Sequence, residues 1–345
     1  MDVTSQKGMV KMEQNIGILH LSDIHISKKN KVTIKKLVDL LLKDIETLKQ
    51  DCDVSIDAIC ITGDLISCGD NAKEELEMIW DDFIQPILAS QGLKESNVFI
   101  VPGNHEVKRQ EVIDYIEVGL EETLVSEDKI DSFMRGDVSH AIKRIEYFRK
   151  DFEELFGTDP VRNSPFYHSH LIDIKGVKLG ISCINSAWRS SGKGSVEKRK
   201  LVIGKQTVID SFESIKNSDI KMCLFHHPID WLVDDDKSYV DKCINQFDLV
   251  LNGHIHESDA RSYTSYNGIT LFNTCGKFDN TKIFLDFNEY SIVTNGTSGA
   301  SALRIKNMSV SSRANFCSYP ILPTQWCNAL PSALSSAGLF AMITR

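Results

Sequence analysis

Residues 16–25 read IGILHLSDIH, an apolar run that ends in a carboxylate and an imidazole two positions apart. The Ile/Leu-rich run predicts a strand over Ile16–Ser22, with Asp23 and His25 just past its carboxyl end. Four further stretches follow the same plan. Gly63-Asp64 follows a predicted strand Ala58–Thr62, and Gly103-Asn104-His105 follows Val98–Val101. His226-His227-Pro228 follows Lys221–Phe225, and the segment Gly253 to His256 follows Leu249–Leu251. In an open α/β sheet this edge is where ligands bind.

Other strands are expected at Val177–Ile184, near Thr270–Asn273 and at Ile283–Phe287. Ile34, Leu37, Val38, Leu41, Ile45 and Leu48 recur at helical spacing and predict a crossover helix. A second helix is expected over Lys73–Leu88, closing near Gln91 and Gly92. A helical insert spans about 107–156, where Ile142, Ile145, Phe148, Phe152 and Leu155 form a stripe that ends before Gly157 and Pro160. The alternation describes a layered α/β domain over 16–290, preceded by a short extension, 1–15. From 291 to 345 the chain turns to Ser, Asn, Ala and Thr without period, and a poorly ordered tail is expected.

Carboxylates, imidazoles and one amide oxygen suit divalent cations of intermediate softness: Mn, Fe, Zn, Co or Ni, with Mn favoured. Among the candidate ligands at the five strand ends there is no cysteine, which disfavours a structural zinc knot. In Asp23-x-His25 and His254-x-His256 the side chains are two residues apart, so on extended backbone each pair reaches the same way. Taken singly the motifs have ordinary readings: Gly-Asp is a common turn, and His-His-Pro a common packed or surface loop. Their shared position after strands is what points to one site.

In this order, LSDIH, GDLISCG, GNHE, FHHP and NGHIH resemble the calcineurin-like metallophosphoesterase family over about residues 16–290. The resemblance implies a four-layer sandwich of two packed mixed β-sheets flanked by helices, with a dinuclear metal site at the strand-end loops. It implies that Asp23, His25 and His256 hold one metal, that Asn104, His226 and His254 hold the second, and that Asp64 bridges them. His105 would lie by the substrate phosphate, as proton donor or as charge stabiliser, and His227 would play an outer or structural part. The implied reaction is hydrolysis of a phosphate ester through attack by a bridging hydroxide.

Charge narrows the substrate. The four basic residues after Glu289 contribute +4 to an overall net charge of −9, so residues 1–290 carry −13. Such a body repels nucleic-acid backbones and anionic membranes, which favours a small phosphodiester or cyclic nucleotide over duplex DNA. The alternatives are a nuclease, a catalytic effector working with a protein partner or fused sensor, and a non-catalytic binding module that keeps the fold. After Val177–Ile184, Asn185, Trp188 and Arg189 are candidate substrate-binding residues: Arg189 for phosphate, Trp188 for stacking on a base. The competing reading makes Trp188 a packing anchor. His168 and His170 read as surface or packing histidines, and Lys198 to Lys200 as a solvated charged face.

Nine cysteines, an odd number without any CxxC pair, fit reduced thiols in a cytoplasm. No signal peptide or membrane span is expected: the first fifteen residues lack an apolar run, and no later stretch reaches the length of a span.

Overall fold

Runs such as Ile16–Leu21 and Ala58–Ile61 are buried on both faces and, His20 apart, carry no polar side chain, as suits strands covered on both sides. In the computed structural model, which describes residues 15–52, 55–156, 160–256, 259–265, 268–275, 304–306 and 341–344, these runs become the centre of two sheets. The element order begins β1 (Asn15–Leu21), α1 (Lys31–Cys52), β2 (Ala58–Ile61), α2 (Ala72–Ile79), α3 (Gln85–Gln91) and β3 (Val98–Ile100). It continues with α4 (Asp114–Thr123), α5 (Glu127–Met134), α6 (Ser139–Phe156), β4 (Arg162–Asn163), β5 (Tyr167–Ile174), β6 (Val177–Ile184) and α7 (Lys205–Ile215). Next come β7 (Ile220–Leu224), α8 (Asp234–Ile244), β8 (Leu249–Asn252), β9 (Asp259–Ser265) and β10 (Gly268–Thr274), then the short β11 (Arg304–Lys306) and β12 (Ala341–Thr344).

One sheet has the order β11-β12-β1-β2-β3 and the other β4-β5-β6-β7-β8-β10-β9. Both are mixed. β1, β2 and β3 run parallel, as do β6, β7 and β8, while β12 and β5 pair antiparallel with β1 and β6. Side-chain alternation then divides the core into three. Ile16, Ile18, Ala58, Cys60, Phe99 and Val101 face Leu179, Ile181, Met222, Leu224 and Leu251 between the sheets. Their neighbours Leu19, Leu21, Ile59, Ile61 and Ile100 point the other way, onto Leu37, Leu41, Phe83 and Ile145 of the first helical layer. Val208, Ile215, Val240 and Ile244 of α7 and α8 cover the far face of the second sheet. The result is the four-layer order helix, sheet, sheet, helix.

Details depart from the expected elements. The helix expected over Lys73–Leu88 is interrupted by a wide π turn, Trp80–Ile84, that keeps Phe83 and Ile84 in the core. Asp82 within this turn pairs with Lys31 and Lys35 of α1, each at 2.7 Å. β5 was not expected as a strand. It pairs with β6 through the two-residue turn Lys175-Gly176, whose φ values of 54° and 76° match a turn that follows strand twist. The stretch expected to be poorly ordered contributes β11 and β12, and the rest of it, with the expected strand Ile283–Phe287, lies outside the described residues. Among the described residues no helix is long and apolar enough to cross a membrane.

Asp236 joins the layers on the second face. It is 2 % exposed and accepts hydrogen bonds from the backbone N–H of Ile203 (2.7 Å) and Gly204 (3.0 Å), ahead of α7. Burial raises its carboxyl from the ordinary 3.8 to about 6, more than those two bonds lower it. A folded-state value above the unfolded one means that the native protein binds the extra proton, so this group costs stability as pH rises through that window. Relative to Asp236→Asn, the wild type should lose roughly 2 kcal/mol of unfolding free energy between pH 4 and pH 7. Urea unfolding of both proteins across that range checks this, and a constant difference would show that Asp236 does not titrate there.

Candidate metal centre

The parallel strands of both sheets end at one edge, and their loops are tied to one another there. Asp23 N–H donates to the Gly63 carbonyl (3.1 Å) and His25 N–H to the Asp64 carbonyl (2.9 Å), which fixes the loop after β1 to the loop after β2. Gly253 N–H donates to the His226 carbonyl (3.0 Å), joining the loops after β8 and β7. The two sheets are bridged by His254 N–H to Asp23 Oδ2 (3.1 Å) and by His226 Nδ1–H to the Thr62 carbonyl (2.6 Å).

Sharp turns are needed to aim so many side chains inward. Seven non-glycine residues among those described have positive φ, and five of them are Asp23, His25, Asp64, His254 and His256. A non-glycine residue in this region is strained and persists only where its surroundings hold it. At Gly253 a Cβ would lie 1.9 Å from Ser22 Oγ, so only glycine lets the loops after β1 and β8 approach.

Two groups of side chains result. Asp23, His25, Asp64 and His256 offer donor atoms within 4.8 Å of one another, and so do His226, His227 and His254. Asp64 lies between them: its Oδ1 accepts from His105 N–H (2.9 Å), which leaves Oδ2 3.9 Å from His25 Nε2 and 3.4 Å from His226 Nε2. His256 Nε2 is 3.2 Å from Asp23 Oδ1. His226 Nε2 is 3.1 Å from His254 Nδ1. His227 Nδ1 faces Ser186 Oγ at 3.1 Å. The His226 Nδ1 bond to a carbonyl fixes the tautomer that frees Nε2.

The donor set fits divalent cations. Asn104 Oδ1 is buried without a hydrogen-bond partner, a costly arrangement unless a ligand satisfies it. Burial holds the His25 and His254 rings down, to about 4 and about 3, so both are neutral, as ligands must be. Burial also opposes the ionised form of Asp23 and Asp64, but the surrounding histidines outweigh it, His256 most at Asp23 and His226 most at Asp64. His226 is the exception among the rings. Burial opposes its charge, yet Asp64 and Asp23 together lift it to about 9, which reports a field that draws positive charge to this point.

One residue with a major part was not singled out from the sequence. Glu106 is 0 % exposed and accepts three backbone N–H groups, from Asp64 (2.9 Å), Ile66 (3.1 Å) and Gly103 (2.6 Å). Its carboxylate thereby clamps the loop after β2 to the loop after β3. Burial, with Asp64 nearby, pushes its carboxyl up to about 7. The signal was present: a carboxylate three residues past Gly103 is the spacing that caps a helical turn.

Three expected substrate contacts are corrected. Trp188 is fully buried, stacked on Phe133 at 6.0 Å and edge-on to Phe166 at 5.2 Å, so it is a packing anchor rather than a platform for a base. Arg189 is 4 % exposed and its guanidinium is paired with Glu117, which also pairs with buried Arg144. It is therefore spent on an internal ion triad. Asn185 accepts from Ala187 N–H (3.0 Å) and donates to the Pro165 carbonyl (3.4 Å), shaping its own turn.

Comparison with known proteins agrees with this architecture. The family model for calcineurin-like phosphoesterases matches residues 16–258, and the chain belongs to that family. An uncharacterized metallophosphoesterase-like protein of Bacillus subtilis (strain 168), YydB, is 23 % identical over 251 residues, covering 70 % of this chain and 49 % of that protein. The chain thus spans about half the length of this curated relative. Among solved structures, wild-type Vps29 complexed with zinc from Entamoeba histolytica aligns at TM-score 0.27 and 12 % identity, over 76 % of this chain and 74 % of that one. The NAD nucleotidase NadN of Haemophilus influenzae aligns at 0.37 and 9 %, over 77 % and 46 %. Both scores are low, and the fold rests on the two-sheet architecture and the family match.

Glu106→Gln keeps the shape but loses one of the two acceptor oxygens that hold the loops. Metal affinity should fall by about 10- to 100-fold, the usual cost of losing a supporting partner, while the circular dichroism spectrum stays unchanged. Equilibrium dialysis against Mn²⁺ checks this, and wild-type affinity in the variant would show that the clamp is dispensable.

Proposed function

We propose that this chain hydrolyses a phosphodiester, a cyclic nucleotide or another small diester, at a centre of two divalent cations. The observation that carries the proposal is the position of Asp64 Oδ2 between the two donor groups, where one carboxylate could serve both. Asp23, His25 and His256 would hold one cation with Asp64, and Asn104, His226 and His254 the other, also with Asp64. His227, anchored on Ser186, supports His226 and His254 from behind. Two such cations supply a water of lowered pKa and offset the charge that grows on the phosphate oxygens. A donor set of oxygens and imidazoles without sulfur accommodates manganese, the cation favoured here, as well as iron, zinc, cobalt or nickel.

His105 is the chain's own contribution at the substrate. Its Nδ1–H donates to the Ser67 carbonyl (2.8 Å), and the ring lies 4.4 Å from the His25 ring. Nε2 is thereby left for the phosphate or the leaving oxygen, and donating a proton there requires the doubly protonated ring.

The acidic body supports a small diester over nucleic acid, and the basic cluster beside it is engaged internally: Arg199 pairs with Asp234, Lys200 with Glu121 and Lys193 with Asp114. Free thiols at Cys60, Cys68, Cys183, Cys223, Cys243 and Cys275 support a reducing, cytoplasmic setting. A second reading, in which this domain is the hydrolytic part of a larger regulatory protein or works with a protein partner, draws on its match to only half of YydB.

Purified protein with Mn²⁺ should cleave bis(4-nitrophenyl) phosphate and cyclic nucleotides faster than 4-nitrophenyl phosphate, DNA or RNA. A preference for the monoester or for polymeric nucleic acid would overturn the substrate assignment. Asp64→Asn or His254→Ala should nearly abolish turnover, by 10³-fold or about 4 kcal/mol in the barrier, and lower metal content in a folded protein. His105→Ala should keep its metal and lose about 10²- to 10⁴-fold in rate, with a larger loss for poor leaving groups if the ring donates the proton. Metal loss in that variant would instead make His105 a ligand.

A further inference from the structure

Away from the strand-edge centre, the β5–β6 hairpin assembles a different set of donors. Its register places His168 directly opposite Cys183, and His170, two residues further along β5, lies on the same face. This face is turned inward. Cys183 is in the core between the sheets, the His170 ring lies 5.3 Å from Phe99, and His168 reaches the Ile100 carbonyl. Donor atoms of His168, His170 and Cys183 all fall within 4.8 Å of one another.

The protonation pattern of the pair is fixed by its neighbours. His168 Nε2 lies 3.2 Å from the Ile100 carbonyl, which can only accept, so Nε2 carries the proton and Nδ1 presents a lone pair. That lone pair is 2.7 Å from His170 Nε2. A carbonyl that orients one ring nitrogen so that the other can bind metal is the usual support of a histidine ligand. Burial pushes the His170 ring down to about 3, so it is neutral. The three residues also line a cavity of about 70 Å³ between Ile100, Ile145 and Phe148, with room for a water.

We propose that His168 Nδ1, His170 Nε2 and Cys183 Sγ form a separate site for a zinc-like divalent cation, with a water in the adjoining cavity as fourth ligand. Tetrahedral Zn–N bonds of about 2.0–2.1 Å separate two nitrogens by roughly 3.3 Å, so the rings part by about half an ångström. Binding releases one proton: the thiol proton leaves to solvent as the Zn–S bond forms, and the His170 proton moves from Nε2 to Nδ1. Burial holds the Cys183 thiol well above its usual range, so the thiolate forms only when a cation takes the place of its proton. Affinity should therefore rise about tenfold per pH unit below the thiol pKa. The site shares no residue with the strand-edge centre, whose donors include no sulfur.

That difference gives the test. Full-length protein stripped with a chelator is titrated with Co²⁺ and followed by near-ultraviolet absorption, where thiolate-to-cobalt charge transfer appears only if sulfur binds the ion. The expected result is a charge-transfer band that saturates with one equivalent, vanishes in Cys183→Ser and weakens at least tenfold in apparent affinity in His170→Gln, which keeps the thiol. Total metal should fall from three ions to two in Cys183→Ser while diester hydrolysis persists. No charge-transfer band in the wild type overturns the proposal. So does a band unchanged in Cys183→Ser, or, if that variant does not fold, unchanged affinity in His170→Gln. The spectroscopic readout is independent of whether the protein hydrolyses any ester.

Discussion

Two carboxylates, Asp23 and Asp64, are buried at the edge where the sheets meet, and the surrounding structure is arranged to keep both ionised. Removing a carboxylate from water is expensive unless opposite charge or donors compensate. Here backbone N–H groups of His105 and His254 take up one oxygen of each, and imidazoles surround the others. Asn104 Oδ1, beside them, is buried without a partner, which a cation could supply. Left-handed turns, close glycine contacts and the loop-to-loop hydrogen bonds all follow from forcing these groups together.

Glu106 shows how far that constraint reaches beyond the ligands. It is in neither donor group, yet its three accepted hydrogen bonds, one of them from Asp64 N–H, set the distance between the Asp64 and Asn104 loops. Tyr147 extends the support outward, its hydroxyl donating to the Glu106 carbonyl at 2.5 Å from α6. The helical segment between β3 and β4 therefore braces the centre as well as covering the first sheet.

Much of this was legible in the sequence because the physics is local. A strand of Ile, Val and Leu followed at once by Asp or His announces both an element and its working end, and five such announcements place a site without any knowledge of the fold. What could not be read was which side chains the fold buries for its own purposes. Arg189 carries the right charge for a phosphate and follows the right strand, but Glu117, 72 residues away in sequence, claims it. Trp188 follows the same strand, but Phe133 and Phe166 enclose it. β5 was missed for another reason. Its alternation of Tyr, His, Ser, His, Leu, Ile and Asp is half polar because the histidines pair with one another inside, and only the Lys175-Gly176 turn marks the hairpin. Glu106 was overlooked because its partners are backbone groups, so that only its spacing from Gly103 announced it.

The ligand order along the chain has a bearing on how the protein is made. Asp23 leaves the ribosome before His254 and His256, which follow more than two hundred residues later, just past the end of β8. Domains generally fold as units during synthesis, and a growing chain that has added only β1, β2 and β3 with their loops holds Asp23, His25, Asp64 and Asn104 with none of the imidazoles that follow β7 and β8. Such a nascent chain lacks half of the side chains that the strand-edge cluster brings together. Any chain cut short before residue 254 is likewise incapable of assembling it, whatever else it folds into.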